Sequence, residues 1–220
     1  MELLAQFIDI VLHLDKHLAL LLAEYGTLIY AILFAIVFCE TGLVVMPFLP
    51  GDSLLFVAGA LAAGSGGLDI TTLILVLMAA AVLGDNTNYW IGHHIGPRVF
   101  RWENSRFFNK AAFEHTHAFY ERHGGKTMMV ARFIPLVRTF APFVAGVGRM
   151  TYSRFFLFDL AGAVLWVVSL CLAGYWFGNI EFIRKNLSFV ILGIVGLSLA
   201  PVMIAGIRHK LAKKQAAEVV

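Results

Sequence analysis

The sequence predicts an all-α, polytopic membrane protein with inverted repeats: two re-entrant helical hairpins, about four full transmembrane helices and an N-terminal amphipathic helix. Three observations lead there. Hydrophobic residues make up 60% of the chain and charged residues 14%, against about a quarter charged in an average globular domain. The apolar residues gather in long stretches, chiefly Leu28 to Met46, Ile70 to Ala81, Phe155 to Phe177 and Leu187 to Ile207, each close to the roughly 20 residues that cross about 30 Å of hydrocarbon. Two other apolar stretches, 47–67 and 127–148, are interrupted by Pro and Gly, and one broken stretch in each half marks an inverted-repeat transporter.

Residues 1–26 mix Leu3, Leu4, Phe7, Ile8, Val11 and Leu12 with acids and histidines at helical spacing, which reads as an amphipathic interfacial helix. Glu2, Asp9 and Asp15 stand where a signal peptide would carry cations, so no cleavable signal is expected. His13 and His17, four apart, lack a nearby third ligand and read as polar-face residues rather than a metal site. Cys39 and Cys171 lie in apolar stretches and suggest neither a disulfide nor a metal centre. No cofactor is expected.

The first repeat, 27–97, opens with a span from Leu28 to Met46 that stops at Pro47. The following "PFLPGDSLLFVAGALAAGSGG" is apolar but too short to cross. Between the Pro50-Gly51 break and the Gly64 to Gly67 cluster lie about 12 residues, or about 18 Å of helix. Such a piece enters the bilayer and returns. The second span runs from Ile70 to Ile91 and closes with "GDNTNYWIGHHIG", where Tyr89 and Trp90 fit an interfacial aromatic belt. Asp85, with Asn86 and Asn88, is either a polar relay or a helix end reaching water.

Residues 98–126 carry Arg98, Arg101, Arg106, Lys110, Arg122 and Lys126 and read as a polar connection. The second repeat, 127–207, begins with a re-entrant stretch interrupted by Pro135 and again by Pro142, and ended by Gly146 and Gly148. "FVAG" occurs in both broken stretches, at Phe56 to Gly59 and Phe143 to Gly146. The tail, 208–220, is basic. No Lys or Arg lies between His17 and Pro97, so the positive-inside rule places the connection and the tail in the cytoplasm, and the N-terminus with them. The two hairpins then dip from opposite faces. Arg184 and Lys185, in an outer loop, run against this topology. The tail reads as a topology signal rather than a nucleic-acid site, and the whole chain as one membrane transporter domain.

Four ionisable residues lie in or beside the breaks: Glu40, Asp52, Arg132 and Arg138. Left unpaired at mid-bilayer they would cost about 10 kcal/mol or more. On an unbroken helix Arg132 and Arg138 would point about 240° apart, whereas a break at Pro135 lets them converge and frees backbone groups that only a protein-lined cavity satisfies. Two guanidiniums beside helix N-termini make a phosphate site, with Thr139 alongside. The alternative is that they snorkel to the headgroups. Glu40 and Asp52 supply the counter-charge, so the cavity is neutral until a phosphate arrives. Protonating a carboxylate then restores the balance, which couples proton uptake to binding. The plainer reading is structural: Glu40 paired with one arginine and Asp52 with the other.

"FCETGLVVMPFLPGDSLLFVAGAL", "GDNTNYWIGHHIG", "FYERHGGKTMMVARFIPLVRTFAPFVAGVG" and "GYWFG" together resemble the bacterial DedA family of inner-membrane proteins. The resemblance covers nearly the whole chain. It implies a membrane transporter of the VTT or SNARE-associated type, linked to envelope integrity, proton motive force and recycling of undecaprenyl phosphate. It also implies that Glu40, Asp52, Arg132 and Arg138 match the charged residues important in the family. His93 and His94 stand where relatives often have an arginine.

Two functions compete. The first is a proton-coupled flippase: Arg132 and Arg138 hold the head group of undecaprenyl phosphate or another phospholipid, and Glu40 and Asp52 carry the proton. The second is a proton-coupled antiporter of small cations, with Glu40 and Asp52 binding the cargo. An intramembrane lipid phosphatase would need a nucleophile and an acid-base group beside the arginines. The histidines at 115, 117 and 123 lack a recognisable catalytic spacing, so no enzyme is expected.

Overall fold

The computed structural model describes residues 14–43, 51–64, 67–99, 128–129, 132, 134–180, 183, 189–190, 192–194 and 196. These residues are mostly helical and hold no strand. Helix α1 is Leu14–Tyr25, α2 Ile29–Gly42, α3 Gly51–Ala63, α4 Ile70–Val99, α5 Pro135–Val147 and α6 Tyr152–Gly178. A single 3-10 turn, Gly26–Leu28, joins α1 to α2. Three helical runs are long and apolar enough to cross a membrane: Lys16–Gly42, Ile70–Ile95 and Tyr152–Gly178. Helices suit this setting because each satisfies its own backbone donors and acceptors, which lipid cannot do. Helices α3 and α5, at 13 residues each, are apolar but short. Pro47, Pro50, the connection 100–127, most of the predicted span 187–207 and the tail lie outside the described residues.

Several boundaries differ from expectation. Helix α2 stops at Gly42 rather than at residue 46, and Leu43 is extended. A close crossing lies at this end: a methyl group on Gly42 would sit 3.2 Å from the Gly84 Cα of α4, and one on Gly84 would strike the Thr41 hydroxyl. Helix α4 runs on through Gly92 to Val99, beyond the expected end at 91, because Gly92 packs against the Phe143 carbonyl of α5. That contact outweighs the helix penalty of glycine, about 1 kcal/mol. Pro135 is the first residue of α5, after an extended Ile134, as a proline's fixed φ favours. Pro142 does not interrupt α5. It is buried inside a continuous helix, where its missing N–H removes the usual partner of the Arg138 carbonyl.

The main core joins Leu14 and Leu18 of α1 to Leu33 and Val37 of α2, Leu55 of α3, Leu73 and Leu77 of α4, and Val167 of α6. A second cluster gathers Tyr89, Ala141, Ala145 and Phe155, with the Tyr89 and Phe155 rings stacked at 4.3 Å. Tyr89 is therefore interior, not part of an interfacial belt. Its hydroxyl donates to the Met150 carbonyl at 2.6 Å. Trp90, 43% exposed, does face outward.

The two halves are built alike. Each short helix packs on the long helix of the other half: α3 on α6, and α5 on α4. The repeated "FVAG" forms both crossings. A methyl group on Gly59 would strike the Cys171 carbonyl, and one on Gly174 the Phe56 carbonyl. At the other crossing Gly146 meets the Tyr89 carbonyl and Gly92 the Phe143 carbonyl. The long helices match position for position 82 residues apart. Gly67 and Arg149 both have positive φ, at 79° and 51°. Asp69 and Thr151 both accept the first helical bond, from Leu73 and Phe155, at 3.0 Å. Leu73 and Phe155 are both wholly buried.

Alanine at Gly59 or Gly146 is expected to destabilise the protein by about 1–3 kcal/mol, because backbone must move to admit the methyl group. Gly64→Ala, whose methyl would meet only the Leu61 carbonyl at 3.5 Å, is the control in thermal unfolding. At the start of α4 the Asp69 side chain accepts from the Thr72 N–H at 2.6 Å, which holds its carboxyl below the usual value. A lowered carboxyl pKa stabilises above the ordinary value, and that stabilisation is lost as the pH falls through the lowered one. Asp69→Ala should therefore unfold at a lower temperature than the parent at neutral pH. The gap should narrow as the medium is acidified below about pH 4.

Candidate functional site

Buried charges of both halves meet between α2, α3, α4, α5 and α6. Arg138, in the first turn of α5, is 6% exposed and holds two acids on separate nitrogens. Its Nη1 donates to Asp52 Oδ1 at 2.5 Å, and its Nη2 pairs with Glu40 Oε1. Arg132, in the turn before α5, pairs through Nη2 with Asp85 and, at 2.7 Å, with Asp159 Oδ1. Glu40 ends α2, Asp52 begins α3, Asp85 is midway along α4 and Asp159 is in the second turn of α6. A guanidinium offers several donors in a planar fork, and so one arginine can hold two carboxylates.

Trp166 of α6 organises the pair. It is 1% exposed, its ring centroid lies 4.6 Å from the Arg138 guanidinium carbon and 6.0 Å from that of Arg132, and its Nε1 donates to Asp52 Oδ1 at 2.8 Å. The aromatic face attracts both cations. Both guanidiniums thus lie near one ring, with Pro135 between them in the sequence and the helix starting only after Arg132.

Small residues make the room. A methyl group on Gly51 would fall on the Glu40 carboxylate, which therefore lies against the N-terminus of α3, where partial positive charge favours it. Gly162 sits under the Arg132 stem, 3.1 Å from Cδ as measured from a methyl position. Asn88, wholly buried, donates to the Thr41 carbonyl at 3.2 Å and to the Thr139 carbonyl at 2.7 Å, tying the end of α2 to α5. Thr139 itself is 1% exposed.

Access is uneven. The Asp52 side chain is 18% exposed, whereas those of Glu40, Asp85 and Asp159 are 1%, 4% and 1%. The Arg138 Nε is buried with no acceptor, and Glu40 Oε2 and Asp159 Oδ2 are buried with no donor. Among the described residues no group of three or more His, Cys, Asp or Glu is arranged to hold a metal.

The structure corrects three expectations. Glu40 and Asp52 do not take one arginine each; both are on Arg138. Asp85 is not a helix end reaching water, since α4 continues to Val99 and Asp85 is 3% exposed. The charges are not two against two, because Asp85 and Asp159 bring the carboxylates to four. Asp159 had a signal: an acid inside an apolar stretch, the same mark that singled out Glu40. Trp166 had none, being one more apolar residue among leucines and valines.

A VTT-domain family model matches residues 49–176, more than half of the chain and all of the site except Glu40. The protein DedA of Escherichia coli K12 is 52% identical over 219 residues, covering 99% of this chain and 100% of its own. This chain belongs to the VTT-domain, or DedA, family. An uncharacterized membrane protein of Mycobacterium leprae is 48% identical over 77% of this chain and 76% of its own. The inner membrane protein YghB of E. coli K12 is 35% identical over 81% of this chain and 82% of its own. No solved structure matches. The apolar helices and these DedA-family relatives make this a membrane protein.

Trp166→Phe keeps the aromatic platform but removes the Nε1 donor to Asp52. It is expected to cost about 1 kcal/mol in thermal unfolding of the detergent-purified protein. Trp166→Ala removes the platform as well and is expected to cost about 3–5 kcal/mol.

Proposed function

We propose that the chain is a proton-coupled lipid transporter of the bacterial inner membrane that carries undecaprenyl phosphate, or another phospholipid, by its phosphate head group. It works by transport rather than catalysis. The observation that carries this reading is the state of Arg138: a buried guanidinium on the Trp166 ring, with one N–H lacking an acceptor, beside Asp52, the most exposed acid of the four. A phosphate that displaced Asp52 would find the fork of Arg138 and the first turns of two helices, α3 and α5, at one place. The lipid tail would remain in the bilayer. A carboxylate of the cavity would take up the proton that balances the arriving charge.

The paired crossings support an inverted repeat, with α3 and α5 as re-entrant helices of about 20 Å each. The distribution of Lys and Arg favours two halves that dip from opposite faces, with both termini in the cytoplasm. One observation favours the second reading, proton-coupled cation exchange. Four carboxylates against two guanidiniums leave the cavity two charges negative when all are ionised.

Proteoliposomes separate the two. Head-group translocation of a lipid phosphate should fall by about tenfold or more in Arg138→Lys, which keeps the charge but loses the fork, equivalent to about 1.4 kcal/mol. Translocation equal to the parent's would overturn the lipid reading. A pH-dye response to small cations without lipid phosphate would favour the exchanger.

A further inference from the structure

The two arginines hold their acids differently. Arg138 gives each carboxylate its own nitrogen, Nη1 to Asp52 and Nη2 to Glu40, and Asp52 has a further donor in Trp166 Nε1. Arg132 meets both of its carboxylates with one nitrogen, Nη2. Asp85 and Asp159 thus each bring a buried carboxylate oxygen to the same nitrogen. Two ionised carboxylates at that separation only repel, whereas a proton on one turns the contact into an O–H donated to the other. Asp159 Oδ2, buried and without a donor, is left for such a proton.

We propose that Asp85 and Asp159 hold one proton between them on Arg132, and that this dyad, rather than Glu40 and Asp52, is the proton-carrying site of the chain. The inference deepens the transport reading and rests on it. Among the described residues, the groups that face the dyad are few. Arg132 comes from the turn before α5, and Trp166 lies on the same helix as Asp159. Arg138 of α5 stands on the other part of the Trp166 ring with Glu40 of α2 and Asp52 of α3.

With the proton in place the Arg132 trio is neutral: one cation and one carboxylate beside one carboxylic acid. Its release leaves two carboxylates on one guanidinium nitrogen, with repulsion between α4 and α6, the long helices of the two halves. Binding and release of the proton therefore bear on how the halves sit together. An anion on Arg138, whose guanidinium shares the Trp166 ring with Arg132, favours the protonated state.

The test is infrared spectroscopy of the full chain in lipid nanodiscs at neutral pH, without substrate. The parent should show the C=O stretch of a buried carboxylic acid. Asp85→Asn and Asp159→Asn should each abolish it, because the remaining partner ionises against Arg132. Glu40→Gln and Asp52→Asn should keep it. A parent without the band, or a band lost in Glu40→Gln and kept in the two Asp variants, would overturn the proposal.

Thermal unfolding guards against misfolding. Each single Asn variant should unfold close to the parent, and the double variant, which leaves Arg132 without a counter-charge, well below it. A single variant as unstable as the double would also count against the dyad. In proteoliposomes Asp159→Asn should lose the acceleration of lipid-phosphate movement that an imposed pH gradient gives the parent, and retained acceleration would refute the assignment. A parent that moves no lipid phosphate would sink the transport reading alone, and the infrared result would still decide the dyad.

Discussion

A guanidinium removed from water has to be given counter-charge and acceptors, and this protein buries two of them at 5% and 6% exposure. Everything near them follows from that requirement. Breaking a buried ion pair by losing one partner leaves a bare charge, at a cost of about 3–5 kcal/mol, so the acids must arrive from several directions and be held there. Glu40, Asp52, Asp85 and Asp159 come from four helices, and Gly51, Gly162 and Trp166 shape the space in which they meet the arginines. The ion pairs thus work as the joint between the two halves of the chain as well as a site.

Much of this joint could be read from residue types alone, since a charge in an apolar run demands an explanation. Charge within or beside an apolar run singles out Glu40, Asp52, Arg132 and Arg138, and Asp159 carries the same mark. The pairing scheme was beyond that mark. Which acid meets which arginine depends on helix crossings set by Gly42 against Gly84 and by the two "FVAG" contacts, and those are relations between distant segments. The fate of Pro142 shows the same limit. Its ring and missing N–H argue for a break, but burial of α5 against α4 through Ala145 and Gly146 keeps the helix whole.

The internal likeness of the halves is one of packing more than of letters. Gly67 and Arg149, or Leu73 and Phe155, are different residues holding the same backbone positions. The chemistry sits where the likeness fails. Asp159 stands at the position that Leu77 fills in the other half, Trp166 at that of Gly84, and Asp52 at that of Thr139. A symmetric frame with an asymmetric lining gives one site at the junction instead of two copies.

The exchange of partners between halves, α3 against α6 and α5 against α4, bears on how the chain is made. When α3 leaves the ribosome its packing surface has no mate, since α6 is translated roughly 90 residues later. Glu40 and Asp52 are translated before the arginine that neutralises them. The first half therefore cannot complete its packing, or pair these two acids with Arg138, until the C-terminal half has been made.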